Sequence, residues 1–129
     1  MSTNVKEFNA FMRAAAEEIE GPKLVTFQKK VALDTFSRIA QKTPVDTGLA
    51  AGNWQLHIET PNYDILPLRS AGERDVAALT QLAKMFPFAI TYLNNNTEYI
   101  SYLEDGYSKK AAHGMVAITL LEMQQIREA

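Results

Sequence analysis

The chain has 129 residues, 47% of them hydrophobic and 22% charged, with no cysteine. That length and balance fit a single folded domain with its own core and exclude an intrinsically disordered chain. A net charge of −2 argues against gripping nucleic acid through its phosphates as the main task, and the missing cysteines exclude disulfides, thiolate metal sites and thiol nucleophiles.

Met1 to Glu7 lacks a basic region followed by an apolar run, so no signal peptide is expected. No stretch approaches the roughly 20 apolar residues that span a bilayer. Residues 4–20 are predicted as a helix, with Asn4 and Glu7 as capping pair and Phe8, Phe11, Met12, Ala15 and Ile19 on one face. Gly21-Pro22 interrupts it. A second helix over 23–42 has a polar stripe of Thr26, Lys30, Asp34, Ser37 and Gln41. Its apolar arc, from Leu24 and Val25 to Phe36 and Ile39, is wider than one packing partner needs. Either two elements flank it or another subunit covers part of it.

Charge is uneven along these helices. Lys6 and Arg13 face four glutamates in residues 1–20, whereas four lysines and Arg38 face Asp34 alone in 23–42. The solvated-face reading and the subunit-pairing reading both remain open here.

Pro44 ends the second helix. Trp54, Leu56 and Ile58 alternate with Gln55, His57 and Glu59, the period of a half-buried strand. A loop over 62–72 carries the apolar run Ile65 to Leu68. Ser70 and Glu73 form a capping box for a helix whose face would be Val76, Leu79, Leu82, Ala83 and Phe86, ended by Pro87. Residues 88–93 are the best second strand, and Asn94 to Asn96 a turn. A short helix over 98–105 capped by Gly106, a polar loop over 107–114 and a terminal helix over 115–128 complete the chain. In the last of these, Met115, Ile118, Leu121 and Met123 are the expected apolar face. The expected class is α+β: long N-terminal helices (1–42) on a small, mostly antiparallel sheet, with further helices in the C-terminal half (43–129), all one domain.

Chemistry is hard to find. Dinucleotide, phosphate-loop, serine-hydrolase and zinc-protease motifs are absent. His57 and His113 are the only histidines, and neither is spaced with a second ligand. Asp46-Thr47-Gly48 matches the aspartic-protease signature. There, two chains would each supply one carboxylate. In this sequence, however, it follows a long helix rather than an apolar strand, and no second family element matches. A turn capped by Asp46 and Thr47, with Gly48 at positive φ, fits better. No catalytic residue, cofactor or metal is expected.

The segment from Thr43, Pro44, Val45, Asp46, Thr47 and Gly48 to Trp54 resembles a signature of tail-completion and neck proteins of tailed bacteriophages, the minor tail protein Z type. A second block matches at Ile90 to Asn95 and Tyr99 to Ser108, including Leu103, Glu104 and Gly106. A third matches at Gly114, Met115 and Val116. The blocks span residues 23–118. The one departure is Ala111-Ala112-His113, where many relatives carry a proline. The resemblance implies a virion protein at the head–tail junction, assembled in the host cytoplasm. It implies a ring, commonly of six copies, contacting head connector or adaptor proteins and tail tube or terminator proteins. Any DNA in the lumen would be held without sequence-specific binding. On that reading Tyr107, Ser108, Lys109 and Lys110 are the candidate contact with a neighbouring subunit. A monomeric adaptor with one phage or host partner is the alternative, since a ring needs two different complementary faces and an adaptor only one.

Overall fold

Apolar residues at helical spacing make α2 (Pro22–Lys42) the central element. Pro22 occupies its first position, where the missing N–H has no intrahelical partner to lose. Ala32, Phe36, Ile39 and Ala40 share one face and are buried there. Phe36 is 1% exposed; full burial of a side chain of this size contributes about 1.5–3 kcal/mol. The computed structural model describes residues 3–17, 22–44, 48–98, 100, 104 and 114–128.

α1 (Thr3–Glu17) precedes α2. It begins at Thr3, so Asn4 lies inside its first turn rather than at the cap. Phe8, Phe11 and Met12 are half-buried and Ala15 is buried, as the helical face predicts; Ile19 lies outside the described residues. After Pro44 the chain forms a short helix that the sequence does not announce, α3 (Leu49–Gly52). It then enters β1 (Gln55–Ile58), and after a long irregular segment α4 (Ala71–Leu82). β2 (Thr91–Asn94) pairs antiparallel with β1, Leu56 opposite Leu93 and His57 opposite Tyr92. α5 (Val116–Glu128) closes the chain. The class is α+β, five helices and a two-stranded antiparallel sheet among the described residues.

One apolar cluster joins these parts: Phe36 and Ile39 from α2, Leu56 and Ile58 from β1, Leu82 from α4, and Met115 before α5. α4 packs on β1, and α5 packs against both α1 and α2. Across the last contact Glu122 accepts from Lys42 Nζ at 2.7 Å and Arg38 Nη1 at 3.4 Å, while Arg38 Nε also reaches Asp34 at 3.0 Å. Much of the wide arc of α2 is thus covered from two sides by its own chain. Phe27 and Val31, only half-buried, line a groove of about 620 Å³ with Phe8, Met12 and Leu93.

Several elements differ from expectation, each for a visible reason. β1 is buried on both faces rather than one: Gln55 is as buried as Leu56, because the segment after β1 folds over it. The second strand starts at Thr91, not residue 88. Gln28 on α2 donates to the Phe86 carbonyl at 3.0 Å and accepts from the Phe88 amide at 2.8 Å. That clamp holds Phe88 at φ 62°, outside strand geometry. Asn94 belongs to the strand, not to a turn. α4 is rotated from the predicted face: Arg74, Ala78 and Leu82 are buried, while Val76 and Leu79 are 62% and 53% exposed. In α5, Leu120 and not Leu121 faces inward. No helix among the described residues is long and apolar enough to cross a membrane.

Candidate functional site

Thr43 ends α2 with its hydroxyl turned inward and is fully buried. Its Oγ1 lies 3.0 Å from the Ile39 carbonyl, the back-bond to the preceding turn, and 3.1 Å from Met115 Sδ. Trp54 Nε1 donates to the same oxygen at 2.7 Å. A buried indole N–H needs an acceptor, and Thr43 supplies it at the heart of the core. Trp54 therefore anchors the entry to β1 against the end of α2, rather than lying across an open sheet face.

The second group sits at the start of α5. Glu104 Oε1 accepts from the amides of Met115 and Val116, both at 2.9 Å, and Oε2 accepts from Ala117 at 3.1 Å. A helix leaves its first amides unpaired, and a carboxylate there also meets the positive end of the helix dipole. Glu104 is thus a distant cap for α5 and not a carboxylate free in solvent. Gly114 makes it possible. It sits at φ 84°, and a Cβ there would lie 2.6 Å from the Glu104 carbonyl oxygen. Met115 follows, 0% exposed, and carries the chain to Thr43. Thr43, Trp54, Glu104, Gly114 and Met115 therefore form one continuous junction.

Gly48 has φ 77°, the positive value expected of the turn, and leads into α3. Pro44 is half-buried after α2. Val45, Asp46, Thr47, Leu103, Gly106 and the proposed contact residues Tyr107, Ser108, Lys109 and Lys110 lie outside the described residues, as does His113. Ile100 and Glu104, in the segment expected to be helical, do have helical backbone.

A second framework escaped the sequence reading. Residues 59–70 have no regular secondary structure, yet side chains pin them from three sides. Asn53 accepts from the Leu66 amide at 2.6 Å and donates to its carbonyl at 3.0 Å. Asn94 and Asn96 both donate to the Asn62 carbonyl, at 2.7 and 3.0 Å. Arg69 donates to the carbonyls of Gly52 and Trp54 at 2.6 and 2.9 Å, and Arg74 to that of Ala51 at 3.2 Å. Two guanidinium groups thus satisfy the free carbonyls at the end of α3. The available signal was Arg74-x-x-x-Ala78-x-x-x-Leu82, one helical face with an arginine in it.

His57, on β1, lies with Nε2 3.1 Å from Gln55 Oε1. Burial first, then Lys84 and Arg69, hold its pKa below the usual imidazole value. Among the described residues no group of three or more His, Asp and Glu side chains is placed to hold a metal ion. The polar groups of the junction are committed to backbone and to each other; what they do chemically is to hold α2, β1 and α5 in one arrangement. Comparison of the chain with protein-family models, curated proteins and solved structures finds no match.

Proposed function

We propose that this chain is a structural subunit of the head–tail junction of a tailed bacteriophage, a tail-completion or neck protein that assembles with its own copies into a ring. The observation that carries the proposal is the convergence of the motif residues. Positions up to 72 residues apart meet at the Thr43–Trp54–Met115 contact, and Glu104 and Gly114 complete it. Motif residues that lock one another in place serve the architecture of the chain rather than a reaction. This supports carrying over a role that rests on shape and assembly.

The surface supports the same reading. Val76, Leu79, Phe86, Phe88 and Ile90 are large, apolar and exposed along α4 and the segment after it. A surface of this kind suits a subunit that packs against a neighbour. Head connector or adaptor proteins on one side and tail tube or terminator proteins on the other are the proposed partners, with DNA passing through the lumen and no reaction catalysed. The 107–110 segment is a further proposed contact.

The test is electron microscopy of the purified protein mixed with purified phage tail tubes. The proposal predicts added density at one end of each tube. Tubes with two bare ends at saturating protein would contradict it. A chain that stays monomeric while binding one other phage or host protein would instead favour the adaptor reading.

A further inference from the structure

We propose that the cavity between α4, β1 and the 59–70 segment is a binding site for a single oxyanion group, a carboxylate or a phosphate. The proposal is independent of the junction role. The cavity has a volume of about 180 Å³, and its polar lining is Arg69, Arg74, His57, Gln55, Asn62 and Gln81. No carboxylate lines it among the described residues. Of the acids nearby in sequence, Asp75 stays outside the lining but pairs with Arg74, accepting from its Nε at 2.9 Å, and Glu73 accepts from the Ser70 amide at 3.1 Å.

Each guanidinium carries five N–H donors in a planar fork. Arg69 uses Nε and Nη2 on the carbonyls of Gly52 and Trp54, and Arg74 uses Nε on Asp75 and Nη1 on Ala51. No other acceptor reaches either group among the described residues. Arg74 is 8% exposed, so its spare donors meet little water. The carbonyls that hold the half-buried Arg69 satisfy hydrogen bonds but neutralise no charge, whereas the buried Arg74 is paired with Asp75 on one side only.

The local field favours an anion at this place. Burial, then repulsion from Arg74, lowers the pKa of Arg69, and Glu73 and Asp75 offset this only in part. His57 is disfavoured as a cation by Lys84 and Arg69, after burial. Leu56, Leu66, Ala77 and Ala78 supply an apolar floor, which strengthens any charge interaction above it. An oxyanion meeting both guanidinium forks would receive the bidentate hydrogen bonds that arginine makes best. The volume suits one such group and not a nucleotide.

The experiment titrates the purified protein with inorganic phosphate, and separately with acetate, at ionic strength held constant with chloride. Arginine Nε–H resonances and the thermal midpoint are followed. Saturable shifts of the Arg69 and Arg74 signals and a raised midpoint are expected. Saturation by phosphate alone assigns a phosphate group, and saturation by acetate as well includes a carboxylate. Gln81→Leu keeps the side-chain size but removes an amide donor from the lining without touching either arginine, and should weaken binding about tenfold, the loss of a charge-assisted contact. Arg69→Lys keeps the charge without the fork and should weaken it likewise. Repeating the titration at low and high protein concentration separates the sources. Competition between phosphate and self-association identifies a carboxylate from a second copy, and no competition identifies a free ion. Shifts that stay linear and match those in chloride would overturn the proposal.

Discussion

The Thr43 hydroxyl is a small group with several neighbours, and its energetics are set by what it leaves behind when removed. In Thr43→Val the shape is kept, but the Trp54 N–H loses its acceptor in a dry site. A loss of about 1–3 kcal/mol is expected in urea unfolding. Trp54→Phe removes the donor as well as part of the ring, so the double variant should cost less than the two single losses added together. A coupling of about 0.5–3 kcal/mol in that cycle is the signature of the contact; strict additivity would remove it from the account. Gly114 is the other position where one atom decides. A methyl group at φ 84° would stand against the Glu104 backbone. Gly114→Ala should therefore lose about 2–4 kcal/mol in the same measurement, from strain and overlap together.

At the scale of elements, α4 is the most informative, because its apolar side faces out. Leu82→Ala should cost about 2–5 kcal/mol, since Leu82 belongs to the core. Val76→Asp and Leu79→Asp should leave stability within about 0.5 kcal/mol in thermal unfolding while reducing self-association. The opposite pattern would restore the face predicted by periodicity. The α2–α5 contact carries a pH signature. Lys42 and then Arg38 hold the Glu122 pKa below its ordinary value of 4.5. A lowered carboxylate contributes stability that is present above 4.5 and lost as pH falls through the folded-state value. Acid titration of the thermal midpoint should show that loss below 4.5, and Glu122→Gln should flatten it. Helices α1, α2, α4 and α5 were legible from spacing and from the Ser70–Glu73 capping box, which the structure forms in full. What was not legible came from long-range polar contacts. Periodicity cannot know that Ala51 and Gly52 need donors, so it put Val76 and Leu79 inside and left Arg74 out. Nor can it know that Gln28 would bend residues 85–88 and shorten β2, or that Glu104 would cap a helix starting a dozen residues later.

For the whole molecule, the parts divide into a locked interior and an apolar exterior. The junction of Thr43, Trp54, Glu104, Gly114 and Met115 fixes how α2, β1 and α5 meet, and the asparagine and arginine framework fixes the 59–70 segment over β1. That segment nevertheless presents Tyr63, Ile65 and Leu68 to solvent, and α4 with its following turn presents five more large apolar side chains. Ordered polar contacts beneath exposed apolar groups suit a rigid surface made to be covered. A closed ring of identical chains requires each copy to offer two complementary patches. The groove between α1, α2 and β2 and the exposed side of α4 are a concave and a convex apolar surface on one chain.

The most direct measurement is the mass of the purified protein by static light scattering over a range of concentrations. The account predicts a discrete species of about six times the 14.4 kDa of one chain, reduced to smaller species by Leu79→Asp. A single 14.4 kDa species at every concentration, with and without tail tubes, would contradict it.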